Sequence, residues 1–107
     1  MRDGKDIDIM KNVKVVEWLK CELLSSVASL FQLLQSGIKN AKDDMLDLIS
    51  NIILLAYLLG KRLGLSYESI DLKVEDKIKL GLIEEHQVEK WYGDLSELHE
   101  YYNTNRR

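Results

Sequence analysis

The sequence predicts an all-α fold, a helical bundle of four or five helices in a single domain spanning residues 1–107. There is no proline, so no residue removes a backbone donor inside a long helix. Apolar residues recur at steps of three, four and seven, which is the spacing of one helix face. Glycines follow these stretches, at positions where helices often end. The length matches that of a common single domain.

The first long helix is predicted over residues 12–36, and Gly37 is predicted to end it in the left-handed conformation. The polar segments 1–11 and 103–107 are predicted to be loosely ordered. The predicted apolar face of this helix consists of Val16, Leu23, Val27, Leu30 and Leu34.

The second long helix is predicted from an N-cap at Asn40 to about residue 63, with Gly64 behind it. From Leu48 onward it is apolar nearly all round, which is typical of a helix at the centre of a bundle or in a subunit interface. The short connection predicts that the two long helices form an antiparallel core. One chain supplies few partners for such a helix, so we predict a homodimer or a higher homo-oligomer.

Three shorter helices are predicted over residues 67–80, 83–92 and 95–102. Gly81 is expected to end the first of them, and Asp94 with Glu97 forms a capping-box pattern before the last. Four aromatic residues are expected to pack the last helix onto the bundle, with base stacking as the alternative; they are Trp91, Tyr92, Tyr101 and Tyr102.

Composition excludes several classes of partner. Lys and Arg total 15 against 18 Asp and Glu, so the chain lacks the positive excess that nucleic-acid polymers attract. Cys21 has no second cysteine to pair with and is expected to be buried and inert. The polar first ten residues do not resemble a signal peptide. The apolar run at residues 52–59 is shorter than the roughly 20 residues that span a bilayer. We therefore predict no membrane partner and a cytoplasmic location.

The two long helices carry a set of acidic residues. Asp44, Asp47 and Asn51 fall within about 60° of one another on the second helix. On the first helix, Glu22 shares a polar face with serines that include Ser25. If the two helices pack antiparallel, Glu22, Asp44 and Asp47 are expected to converge.

Converging carboxylates repel one another unless a cation neutralises them. Mg²⁺ suits such a site, because it takes oxygen ligands, keeps waters and bridges to phosphates. The competing interpretation is structural. Asp44 and Asp47 lie in the first turns of a helix, where the dipole favours negative charge, and the serines can simply allow close helix packing.

Part of this pattern matches a known family. Two acidic residues three positions apart, Asp44 and Asp47, lead into an apolar helix, and this helix ends in a short turn of basic residues, leucine and glycine. The segments are Asp43-Asp44-Met45-Leu46-Asp47 at the start, Lys61-Arg62-Leu63-Gly64-Leu65 at the turn, and Tyr67-Glu68 after it. This arrangement resembles the second half of the motif of MazG-like nucleotide pyrophosphohydrolases. The resemblance covers roughly residues 18–79, and the blocks at residues 17–24 and 89–95 look like a divergent, short bacterial subgroup.

The resemblance implies Mg²⁺-dependent (or Mn²⁺-dependent) hydrolysis of a nucleoside triphosphate to the monophosphate and pyrophosphate, for example in housecleaning of nucleotide pools. It implies that Glu22, Asp44 and Asp47 are metal ligands, with Glu22 and Asp47 also catalytic. The substrate would contact three further residues, which are Asn51, Lys73 and Lys77.

One position departs from the family pattern. The family carries a second glutamate three residues after the one that Glu22 matches, and this sequence has Ser25 there. A serine is neutral and a weak metal ligand. The alternative function is therefore a catalytically impaired helical scaffold that binds nucleotides, or that acts as a protein-interaction or regulatory module.

Overall fold

The computed structural model describes residues 3–37, 41–84 and 87–105. Most of these residues are helical, and none of them is in a β-strand. Among them no helix is long and apolar enough to cross a membrane. The chain divides into two compact units, residues 1–66 and 67–107. The described helices, in chain order, are α1 (Asp3–Ser36), α2 (Lys42–Arg62), α3 (Tyr67–Ile83), α4 (Gln87–Tyr92) and α5 (Asp94–Asn105).

The first unit is built from α1 and α2, which pack against each other. Each helix turns a stripe of buried and half-buried residues, spaced by three and four, toward the other. We call this contact the seam. On α1 it comprises Asn12, Val16, Leu19, Leu23, Ser26, Leu30 and Leu33. On the other side it comprises Met45, Leu48, Ile52, Leu55 and Leu59 of α2, together with Ala41, which precedes that helix.

The seam differs from the apolar face predicted for α1. Leu19 is buried, with 2% of its surface exposed, and the predicted face omitted it. Leu34 belonged to that face and is exposed. The stripe repeats every three or four residues through Leu19 and Ser26, so it is rotated from the face drawn through Leu34. Ser26 is buried in the seam, where a small side chain lets the two helices approach closely.

The prediction that Cys21 is buried is wrong, because its side chain is exposed. Cys21 lies two residues from Leu19 and two from Leu23, both of which point into the seam. Two residues correspond to about 200° around a helix, so Cys21 lies on the opposite side of α1. An apolar stretch in the sequence did not reveal which side of the helix faces its neighbour.

The ends of the long helices agree in part with the predictions. α1 ends at Ser36, and Gly37 follows with φ 68°, as predicted. α1 begins at Asp3, nine residues before the predicted start. The predicted N-cap, Asn40, lies outside the described residues. The N–H of Met45 donates to the carbonyl of Ala41, which opens the hydrogen-bond ladder of α2.

Gly64 ends α2 as predicted. Its φ of 95° turns the chain back, so that the N–H of Leu65 donates to the carbonyl of Gly60 at 2.9 Å. The N–H of Gly64 donates to the carbonyl of Lys61 at 3.1 Å. These two bonds form a Schellman motif, which satisfies carbonyls left without a partner at the helix end.

The second unit contains α3, α4 and α5, in which α3 and α4 each pack against α5. Gly81 does not end α3, which continues to Ile83, and α4 begins at Gln87 instead of residue 83. A glycine inside a helix costs only about 1 kcal/mol, which the apolar residues around it offset. Ile78 is the buried centre of α3.

A side chain of α4 caps α5. The N–H of Ser96 donates to Oε1 of Glu89 at 2.9 Å, and the Ser96 hydroxyl donates to Oε2 at 2.6 Å. Both bonds favour the ionised carboxylate and lower the pKa of Glu89. The predicted capping box of Asp94 and Glu97 therefore does not form the start of α5. Asp94 is already its first residue, and the Ser96 N–H is capped from the preceding helix.

The C-terminal aromatic residues pack less than predicted. Trp91, Tyr92 and Tyr101 are exposed, and Tyr102 is half-buried. Burial of Tyr102 raises the pKa of its hydroxyl, with smaller contributions from the nearby Tyr101 and Glu75. Tyr102 is therefore the one of the four that contributes to the interior of the second unit.

Candidate functional site

The acidic residues of α2 lie on its solvent-exposed surface. Asp44, Asp47 and Asn51 are all exposed, and they occur at steps of three and four from the first turn of the helix onward. We call these three residues the acidic strip. In the helical projection the strip lies beside the seam, because Asp44 is only about 60° from the line of Leu48 and Leu59. A ligand can therefore reach the strip without any rearrangement of α2.

Glu22 lies beside the seam on α1, as the acidic strip does on α2. It is half-buried and lies between Leu19 and Ser26 along the helix. Ser25 is exposed one turn further along. Both residues belong to the same unit as the acidic strip, since α1 and α2 form that unit. The hydroxyl of Ser25 adds no charge to this surface.

The carboxylates are not gathered into one cluster. Among the described residues, no group of three or more His, Cys, Asp and Glu side chains is close enough to hold a metal ion. The acidic strip contains only oxygen ligands, which come from two carboxylates one turn apart and one side-chain amide. This donor chemistry suits Mg²⁺ held by one or two carboxylates together with water and phosphate oxygens. It does not form a closed metal site made by protein ligands alone.

The two predicted phosphate-binding lysines belong to the second unit. Lys73 and Lys77 are exposed and one turn apart on α3, so both project from the same face of that helix. Two ammonium groups at this spacing can contact neighbouring phosphate oxygens.

Sequence reasoning missed a feature at the other end of the first unit. The side-chain amide of Asn12 donates to the carbonyl of Arg62 at 3.3 Å, which ties α1 to the last residue of α2. Asn12 is, with Ser26, one of the two polar residues in the α1 part of the seam, and this was the available signal. An open groove of about 770 Å³ surrounds the contact, lined by Asp8, Ile9, Lys11, Asn12, Val13, Val15 and Arg62.

The groove and the acidic strip are separate surfaces. Arg62 and Asp44 stand at opposite ends of α2, 18 residues apart, which is about 27 Å along a helix axis. A triphosphate bound at the acidic strip would not occupy the groove. We therefore base the candidate site on the strip and Glu22, where the residue types carry charge suited to a metal-bound anion.

Comparison with known proteins identifies the family. The sequence profile of the MazG-like family matches residues 9–95, which include α2, α3 and most of α1. All the candidate site residues fall within this range. Neither the curated proteins nor the solved structures give a significant match to the chain.

Proposed function

The chain belongs to the MazG-like family, and from this membership we propose that it is a Mg²⁺-dependent nucleoside triphosphate pyrophosphohydrolase. The observation that carries the proposal is the exposed acidic strip within the part of the chain that the family profile matches. The products would be a nucleoside monophosphate and pyrophosphate. We further propose that the protein is a homodimer and that it acts in the cytoplasm on the nucleotide pool.

The proposal includes an antiparallel arrangement of α1 and α2. It is supported by the bond from Asn12, near the start of α1, to Arg62, at the end of α2. The numbers of Asn12 and Arg62 add up to 74. In an antiparallel pair, a residue of α1 and a residue of α2 whose numbers add up to about 74 therefore lie level, that is, at the same height along the helix axes. Asp47 is then level with residue 27, and Asn51 is level with residue 23, next to Glu22.

This register explains why the three carboxylates do not form one cluster. Glu22 is offset from the residue level with Asp47 by five positions, or about 7.5 Å along the axis. Ser25 is offset by only two positions, or about 3 Å. The missing family glutamate is thus one that would lie closer to the level of Asp47 than Glu22 does.

Each residue has a proposed role. When bound, Mg²⁺ would neutralise charge on the triphosphate, which is the main requirement for phosphoryl transfer. Asp44 and Asp47 would hold the ion, with Glu22 as the third ligand. Glu22 or Asp47 would accept a proton from the attacking water. Asn51 would contact the nucleotide.

Lys73 and Lys77 would pair with nucleotide phosphate oxygens. Their side chains are exposed and carry the charge that this role needs. Substitution of both by Gln is expected to weaken substrate binding, whereas the fold of the second unit, centred on the buried Ile78, is expected to remain intact.

The test is pyrophosphate release from a panel of nucleoside triphosphates with Mg²⁺ or Mn²⁺. We expect release by the wild type and loss of at least about 100-fold in Asp47→Asn, the scale of losing a group that stabilises developing charge. Asp43→Asn is the matched control. It removes one negative charge from the same end of α2, and so has a similar effect on the helix dipole, but Asp43 is not a proposed ligand.

The second candidate function is a scaffold without catalysis, which binds nucleotides or another protein. Two observations favour it: Ser25 replaces a carboxylate, and no described group of three acidic side chains forms a metal site. It predicts no pyrophosphate release from any nucleotide by folded protein supplied with metal. Release that is equally strong in wild type and Asp47→Asn would contradict the proposed residue roles.

A further inference from the structure

α2 carries a second apolar stripe in addition to the one in the seam. Leu46, Ile49, Ile53 and Ala56 follow one another at steps of three, four and three, which is the spacing of residues that face a neighbouring helix. The first three expose 66%, 45% and 54% of their surface. We call these four residues the outer stripe. α1 fills the seam and leaves the outer stripe uncovered.

No charged residue falls within the outer stripe. α1 also exposes apolar residues, among them Leu24 and Phe31. Nearer its start, the exposed side of α1 carries Glu17 and Lys20, which form an exposed ion pair at 2.8 Å. Desolvating that pair would oppose the burial of that part of α1 in an interface. No such cost applies to the outer stripe.

The charges at the two ends of α2 indicate what covers the outer stripe. The first turn is acidic and includes Asp43, and the last turn is basic with Lys61 and Arg62. The outer stripe, centred near residue 51, lies close to the middle of the helix, Ile52. Two copies of α2 in antiparallel contact can therefore overlap along its full length of about 31 Å. The acidic end of each copy then meets the basic end of the other.

The positions of the charged residues agree with this pairing. Asp43 and Lys61 are 18 residues apart, which is five full turns, so they project from the same side of α2. In an antiparallel pair centred on Ile52, Asp43 of one copy is level with Lys61 of the second copy. A parallel pair would instead place like charges together at both ends, which is unfavourable.

From this we propose that the outer stripe is the surface through which two copies of the chain associate, with their α2 helices antiparallel across a two-fold axis. The inference rests on the proposed homodimer and names its surface, and it does not depend on hydrolysis. In the helical projection the outer stripe is roughly opposite the acidic strip. Association through it leaves Asp44, Asp47 and Asn51 open to a nucleotide.

The test compares two neighbouring residues. Ile53 belongs to the outer stripe, whereas Leu54 is 52% exposed, almost the same fraction, but points about 100° away. We expect wild type to sediment as a dimer at tens of micromolar. Ile53→Glu should raise the dimer dissociation constant by about 100-fold, because each copy would bury an unpaired carboxylate. Leu54→Glu should remain a dimer, and circular dichroism should show equal helicity in both variants.

Each outcome separates one part of the proposal from another. A wild-type protein that sediments as a monomer overturns both the homodimer and its surface. A wild-type dimer that Ile53→Glu leaves intact overturns the outer stripe and leaves the homodimer standing. Pyrophosphate release, measured separately on the same samples, reports on the proposed activity and decides neither point.

A charge exchange tests the direction of pairing. In the antiparallel pair, Asp43→Lys brings two positive charges together at each end and should weaken the dimer severalfold. The double variant Asp43→Lys with Lys61→Asp restores opposite charges and should recover the dimer. In a parallel pair the single change only replaces one like-charged contact by another, so an unchanged dimer in Asp43→Lys overturns the antiparallel arrangement.

Discussion

Leu19→Ala provides the sharpest test of how the first unit is held together. Leu19 is 2% exposed at the centre of the seam, so the change removes three buried carbon atoms. At about 0.8 kcal/mol for each buried methylene, the lost transfer free energy is about 2.4 kcal/mol. The cavity left between two helices that relax only partly adds about 1 kcal/mol. We expect the free energy of unfolding to fall by about 3 kcal/mol.

The matched control is Leu24→Ala, the same substitution five residues along the same helix. Leu24 is 71% exposed, so the change removes little buried surface. Alanine is also the best helix former, which offsets part of the remaining loss. We expect an effect below about 0.5 kcal/mol.

Urea unfolding followed by circular dichroism at 222 nm measures both variants against wild type. The difference between them, about 2.5 kcal/mol, is the quantity to compare, because it cancels effects common to any Leu→Ala change in α1. Equal losses in the two variants, or a loss below about 1 kcal/mol in Leu19→Ala, would refute the assignment of the seam as the core of this unit.

Two further predictions concern the carboxylates. Ser25→Glu restores a carboxylate about 3 Å along the axis from the level of Asp47, at an exposed position. We expect it to tighten Mg²⁺ binding at least about tenfold by isothermal titration calorimetry, whereas Cys21→Glu, on the side of α1 opposite the seam, serves as the control; no gain would contradict the proposed register. The bonds from Ser96 lower the pKa of Glu89 in the folded protein below its ordinary value of 4.5. The stabilisation of the folded state by these bonds is therefore complete above pH 4.5 and is lost as the pH falls through the pKa of the folded protein. Glu89→Gln should therefore flatten the fall in melting temperature below about pH 4.5, and a curve identical to wild type would refute the cap.

Local chemistry made the helix ends partly predictable. Gly37 and Gly64 have positive φ, and each follows the last apolar turn of a long helix, where this conformation is useful. Gly81 has the same residue type but a different context. Leu82 and Ile83 continue the apolar pattern beyond it, and α3 runs through. A glycine ends a helix only where the following residues have no reason to extend it.

The identity of the buried face was less predictable. Periodicity gives the angle between residues of one helix, but it does not give the direction of the neighbouring helix. α1 is apolar on more than one side, so a face through Leu34 and one through Leu19 fit the sequence about equally well. The structure selects the second, and Cys21 is exposed as a consequence.

The candidate site was predictable in its residue types but not in its assembly. The spacing of Asp44, Asp47 and Asn51 was sufficient to place them on one face of α2, and the structure shows that this face is exposed. Whether Glu22 joins them depends on how far α1 is shifted along α2. That shift is fixed by contacts such as the Asn12 bond to Arg62, which no pattern of charges or apolar residues encodes.

The exposure of the acidic strip has a consequence for how the proposed site would work. Carboxylates in water are already well solvated, so Asp44 and Asp47 gain little from binding Mg²⁺ alone. The triphosphate adds oxygen ligands and further negative charge, which makes the ion much easier to hold. We therefore expect Mg²⁺ and nucleotide to bind together, each strengthening the affinity for the other by the same factor. Calorimetry with Mg²⁺ and a non-hydrolysable triphosphate should show this coupling in wild type but not in Asp47→Asn, and independent binding in wild type would contradict a site in which substrate completes the ligand set.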